Sequence, residues 1–254
     1  RTLIVTFVVL FGATGGALKT ADTTNNVEYE IYPTVQSITY GDKNSTISEK
    51  YNIVYESKID SYTKNKAIEV LSRKNVKASI GDDISTEKGN LLLGVYSSKE
   101  KVDSYITEDV SYISEKIDSY YLSILGKDSD SVYYGLSTLD LIFQQTQDEV
   151  RELEIKDYSS SYYRGFIEGY YGIPWTSEER KELMRFGSKF KSNIYIYAPK
   201  DDAYHSSCWR DLYAENDLEI LKEQIEVGRE TKTKLAWALH PFMSNKITAD
   251  NYDA

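Results

Sequence analysis

Cysteine is nearly absent: one residue, Cys208, leaves no intrachain disulfide framework. Two histidines, His205 and His240, are too few for a zinc cluster, so no metal or other cofactor is expected. Basic residues are outnumbered, 30 Lys and Arg against 40 Asp and Glu, for a formal net charge of −10. A surface that binds phosphate chains needs the opposite sign, so no nucleic-acid partner is expected. No apolar run reaches the roughly 20 residues that span a bilayer. A dinucleotide fingerprint is missing too. After the first strand of the second half the glycines fall at 165, 169 and 172, with bulky residues between them.

What is present suffices for a packed core, with 41% hydrophobic and 28% charged residues. Tyrosine is frequent, 23 against 7 Phe and 3 Trp. Its amphipathic ring suits carbohydrate and equally suits a half-buried strand, so the excess decides nothing. Residues 1–22 form a separate segment. An apolar run from Leu3 to Phe11, followed by small residues through Ala17, has the pattern of a secretory signal peptide. The alternative is a buried hydrophobic strand. Export without disulfides fits a bacterial protein, secreted or held at the cell surface, with no membrane contact once the leader is removed. The chain does not begin with Met, which suggests further residues upstream.

Residues 23–157 read as an α+β domain, a sheet backed by two helices. Alternation marks VEYEIY (27–32) and YNIVYE (51–56) as strands, and VKASI (76–80), NLLLGVY (90–96) and YYLSILG (120–126) read likewise. A helix covers Asp60 to Lys74, and a short one starts at Ser97 to Lys101. A stronger helix, capped by Ser129 or Asp130, carries Val132, Leu136, Leu139 and Phe143 at helical spacing. A last strand lies near Arg151 to Ile155. Nothing in this half has the look of a site.

YSSSYY (158–163) is a polar hinge, and 158–254 alternates strand with helix. Gly165 to Gly169, Ile194 to Ala198 and Lys234 to His240 are the strands. Thr176 with Glu179, and Asn216 with Glu219, form capping boxes for the two helices between them. Leu183, Phe186 and Phe190 give the first helix its buried stripe; Leu218, Leu221, Ile225 and Gly228 give the second. Parallel strands joined by right-handed crossovers make an open sheet or a barrel. Without a dinucleotide fingerprint the barrel is preferred. The fold class is therefore α/β: an α+β domain, then the first β-α-β-α-β part of a (β/α)₈ barrel. Three strands of eight are present, so the barrel is expected to continue beyond Ala254.

Barrel chemistry gathers where the strands end. Here those ends are Glu168-Gly169-Tyr170-Tyr171-Gly172, Pro199-Lys200-Asp201-Asp202 and His240-Pro241. Gly169 admits close approach of its carbonyl to a ligand hydroxyl, Lys200 donates to hydroxyl oxygens, and Tyr171 offers an apolar face with a polar tip. Each has a plainer reading. Gly169 could serve a turn, Lys200 could pair with Asp201 or Asp202, and His240 could cap its strand. Glu168 is expected to be buried and paired with Arg164 or Lys200. Asp201-Asp202 invites a two-carboxylate mechanism, but loop Asp pairs more often cap the next helix or hold the loop.

EGYYGIPW followed by NIYIYAPKDDAYH resembles the start of the catalytic barrel of glycoside hydrolase family 84. That family holds bacterial β-N-acetylglucosaminidases, hyaluronidase-like enzymes and O-GlcNAcase. VYYGLSTLDLIFQQ, then IKDYSSSYYRG, is similar to the junction with the hexosaminidase-type domain before that barrel. The resemblance implies a glycan or glycoconjugate substrate bearing N-acetylglucosamine, touched by Gly169 and Lys200 in a pocket shaped by Tyr171. It also implies a substrate-assisted retaining mechanism through an oxazoline. The family's catalytic Asp pair follows the fourth strand. Asp201-Asp202 match a different motif, so no catalytic residue is assigned, and the fragment alone is expected to be inactive. The alternatives are a carbohydrate-binding or adhesin fragment without catalysis, and a relative of the family 20 hexosaminidases.

Overall fold

The computed structural model describes residues 5–10, 27–95, 121–169 and 173–240. The chain divides into two compact units, Arg1–Ser160 and Ser161–Ala254, parted within the 158–163 hinge. Tyr171 and the short helix expected at 97–101 lie outside the described residues. No helix among the described residues is long and apolar enough to cross a membrane.

The first unit is built on a seven-stranded sheet. Its strands are β1 (Val5–Leu10), β2 (Ser37–Thr46), β3 (Lys50–Tyr55), β4 (Lys77–Ile80), β5 (Gly89–Val95), β6 (Tyr121–Gly126) and β7 (Glu149–Asp157), in the order β2-β7-β1-β6-β5-β3-β4. β4, β3, β5 and β6 run parallel, whereas β1 pairs antiparallel with both β6 and β7. The helices α1 (Ser61–Ser72) and α2 (Ser129–Gln145) pack on each other and on this sheet. Tyr51, Ile53, Leu91 and Leu122 from the strands meet Leu71, Leu136 and Phe143 from the helices in one core. β5 is buried along its whole length and is apolar except at Asn90, whose side chain bonds the Ser85 backbone.

Four local expectations change. Within the segment read as a leader, Val5–Leu10 forms a strand of the sheet. VEYEIY is not a strand: Tyr29 and Ile31 are buried, but the segment joins no ladder. Alternation there reports burial without pairing. β2 was not foreseen; its ladder with β7 carries a register shift between Tyr40 and Asn44. Helix α2 is capped one residue earlier than expected, by Asp128, whose carboxylate accepts from the Ser131 amide at 2.8 Å.

The second unit is a barrel-like α/β arrangement. Its strands β8 (Gly165–Ile167), β9 (Ile194–Tyr197) and β10 (Lys234–Trp237) are all parallel, in the order β10-β9-β8. Helices α3 (Ser177–Lys189) and α4 (Glu215–Glu230) make the crossovers. The capping box of α3 is complete: the Glu179 amide donates to the Thr176 hydroxyl at 3.3 Å, and the Thr176 amide donates to the Glu179 carboxylate at 2.7 Å. The expected second box is absent. Helix α4 starts at Glu215 after Ala214, with no side-chain cap. Its first turn carries Glu215 and Asp217, which favour the positive helix end.

Each stripe holds in part: Leu183 and Leu221 pack on the core and Gly228 is buried, but Phe186, Leu218 and Ile225 are exposed. In α3 the buried residues are Arg180, Met184, Gly187 and Ser188, while Phe186 is 55% exposed. In α4 they are Gln224, Val227 and Gly228. Small and polar residues face the sheet here because strand and helix approach closely. A Cβ on Gly165 would sit 1.7 Å from the Ile194 carbonyl oxygen. Gly165→Ala is therefore expected to force β8 away from β9 and to cost about 1–3 kcal/mol, read as a lower melting temperature with unchanged far-ultraviolet dichroism at 20 °C.

Candidate functional site

Register fixes what shares a face. Ile167 pairs with Ile196, and Ile196 with Ala236. Continued by two residues, that register puts Gly169, Ala198 and Ala238 on the same face as Ile167. Lys200 and His240 follow one step further on. The ladder does continue past the strands: the Glu168 amide donates to Ile196 O at 2.9 Å, and the Ala238 amide donates to Tyr197 O at 3.0 Å. The alternate residues Phe166, Tyr195, Tyr197 and Leu235 pack with Met184 and Val227 from the helices. Gly169 and Lys200 thus both follow the C-terminal ends of adjacent parallel strands.

Gly169 is exposed, and a Cβ built on it would meet no atom within 4 Å. Neither a positive φ nor a close neighbour in the chain calls for glycine here, in contrast to Gly165. What the missing side chain leaves is open space at the rim. Lys200 is half-buried, and no acceptor among the described residues engages its ammonium group. The expected pairing with Asp201 or Asp202 does not form. Asp201 is exposed to solvent.

Asp202 holds the loop. One carboxylate oxygen accepts from the Tyr204 amide at 2.8 Å, capping the 3₁₀ turn Ala203–His205. The other accepts from the Tyr213 hydroxyl at 2.7 Å, and that hydroxyl accepts from Trp237 Nε1 at 2.9 Å. The carboxylate is committed to structure, as the plainer reading of the Asp pair has it. His205 Nδ1 lies 2.6 Å from the Ala238 carbonyl oxygen, and a carbonyl only accepts, so this nitrogen carries the proton. The His240 amide donates to His205 O at 2.8 Å, which ties the end of β10 to the loop after β9.

Glu168 is the densest contact point. Its side chain is 1% exposed. Arg180 grips it with a two-pronged fork, Nε to Oε2 at 2.8 Å and Nη2 to Oε1 at 2.7 Å, and the Tyr195 hydroxyl donates to Oε2 at 2.5 Å. The expected partners were Arg164 or Lys200. Arg164 instead donates to the carbonyls of Lys191 and Ser161. The signal for the true partner was present: Arg180 is in the first turn of α3, one helical turn before Met184 on the sheet-facing side. The Arg180 guanidinium also lies 5.0 Å over the Tyr197 ring.

Residues 164–253 match the family model described as beta-N-acetylglucosaminidase, and residues 28–158 match glycosyl hydrolase family 20, domain 2. The solved structure of CpGH84D is 42% identical and superposes with a TM-score of 0.79, over 89% of this chain and 40% of that one. CpGH84B is 27% identical with a TM-score of 0.73, at the same coverage. The chain carries the family 20 domain 2 over just over half its length and is similar in both units to these GH84 structures. Protein O-GlcNAcase of Rattus norvegicus and that of Mus musculus are each 43% identical over 77 residues, 30% of this chain and 8% of those proteins. The chain therefore spans well under half the length of the relatives it matches. Its first unit is the hexosaminidase-type domain, and its second is the start of the barrel-like unit.

The polar groups beneath this rim are held in fixed protonation states. Burial alone would lower the Arg180 guanidinium, but the hydrogen bonds and charge of Glu168 more than reverse this and raise it. Burial raises the Tyr195 hydroxyl, and its bond to Glu168 adds to the effect. Burial likewise raises Tyr197 and Tyr213, each helped by Asp202. In the unfolded chain these phenols ionise at the ordinary value of 10.0, while in the folded chain they stay neutral. Above that pH the unfolded state binds fewer protons, so their stabilising effect is complete below pH 10 and is lost as pH rises. Tyr195 and Tyr197 are each expected to cost about 1.4 kcal/mol per pH unit in that window. Phenolate absorbance for these groups should appear together with loss of circular dichroism, and Tyr195→Phe should flatten the decline.

Proposed function

We propose that this chain supplies the sugar-positioning half of a glycosidase that releases terminal β-linked N-acetylglucosamine from glycoconjugates. The observation that carries the reading is the open space over Gly169, at the same sheet edge as an unengaged Lys200. A hydroxyl-rich ring seated there would donate to the Gly169 carbonyl, which no Cβ obstructs. Lys200 would donate to its ring hydroxyls as a charged donor. Tyr171 would close the pocket with its ring.

In the mechanism proposed for the whole protein, the 2-acetamido oxygen of the substrate attacks its own anomeric carbon. The bond to the leaving oxygen breaks as an oxazoline forms, and water then opens that ring with retention. A protein acid must protonate the leaving group, and a carboxylate must orient the acetamide. Asp202 is spent on its loop and Glu168 on Arg180, so neither is assigned to that work. What these 254 residues contribute is ring placement. The (β/α)₈ closure of the barrel belongs to the same proposal.

The test is hydrolysis of an aryl β-N-acetylglucosaminide by the full-length gene product. Removing a charged donor of this kind costs about 1.5–3 kcal/mol, so Lys200→Ala should lower kcat/KM by about tenfold or more. Gly169→Ala should lower it comparably while leaving the melting temperature unchanged or slightly raised, since its Cβ meets no protein atom. The 254-residue chain assayed alone should release no aryl group. Unchanged kcat/KM in both variants would overturn the reading.

A further inference from the structure

We infer that Glu168, clamped by Arg180 and Tyr195, is the positioning residue that sets the backbone on which Gly169 meets the sugar. This rests on the proposed function and adds how the pocket is held. Glycine has the freest backbone of any residue, and no atom lies within 4 Å of where a Gly169 side chain would be. Gly169 therefore has no side-chain packing to hold it. Its preceding neighbour is fixed on every side. The Glu168 amide makes the last ladder bond of β8, to Ile196 O at 2.9 Å. The Glu168 side chain turns to the helix side and receives three donors at 2.5–2.8 Å, two from Arg180 on α3 and one from Tyr195 on β9.

Stability alone does not account for this choice of residues. A buried ion pair is commonly matched or bettered by apolar side chains of similar volume. What the pair adds is direction, because a planar guanidinium grips a carboxylate in one orientation. That orientation, anchored to a helix and to the neighbouring strand, fixes the peptide that leads into Gly169. The effect acts through position; Glu168 itself is sealed from the rim.

The experiment is a double-mutant cycle on the affinity of the full-length gene product for N-acetylglucosamine, measured by calorimetry well below the melting temperature. Glu168→Gln should weaken binding about tenfold in the natural background, and less than about twofold once Gly169→Ala is present. Tyr195→Phe leaves the Arg180 fork in place. It should show the same dependence on Gly169 with a loss of about threefold, and it carries the test if Glu168→Gln does not fold. Losses that simply multiply across the cycle, or no loss in either variant, overturn the inference. A normal loss in Gly169→Ala with none at Glu168 or Tyr195 removes the positioning role and leaves the sugar assignment standing. Natural affinity in Gly169→Ala removes both.

Discussion

A carboxylate taken out of water is tolerable only when its charge and its lone pairs are answered together. Glu168 meets that condition with one guanidinium and one phenol, drawn from a helix and from the adjacent strand. The second unit depends on this. The pair joins β8, α3 and β9 at the level where the strands stop, and the Tyr197 ring, Asp202, Tyr213 and Trp237 carry the connection across to the end of β10. The strand ends are thereby braced from the helix side.

The two units solve different problems. The first is a broad sheet with two helices around one large apolar cluster, with Glu56, Asn90 and Asp140 buried beside it. The second has a small apolar cluster of Met184, Tyr195, Tyr197 and Val227, supplemented by buried Arg180, Gln224 and Glu168. Polar burial of that kind gives less stability per unit volume than an apolar core and more control of direction. It belongs where loops must be held in register with one another.

Features that depend on neighbouring residues in sequence were legible. The Thr176–Glu179 box needs residues three apart, and the Val132–Leu136–Leu139–Phe143 stripe needs one helical face. Gly169 and Lys200 could be placed on one rim because parallel strands put their ends on the same side. Features that depend on distant partners were not legible. The Glu168 partner required knowing which side of α3 faces β8, and apolar spacing misplaced that side by choosing Phe186 over Met184. Small residues at Gly187 and Ser188 mark the true contact, where hydrophobic counting finds nothing. VEYEIY shows the same limit, since Tyr29 and Ile31 are buried without any strand partner. Asp128, Ser129 and Asp130 are all competent caps, so composition could not choose among them.

The strand Val5–Leu10 has a consequence for the integrity of the sheet. It lies third in the sheet, bonded to β7 on one side and β6 on the other, and these two do not pair with each other. Excision of that ribbon would split the seven into a doublet, β2-β7, and a quartet, β6-β5-β3-β4, each with a raw, unsatisfied margin.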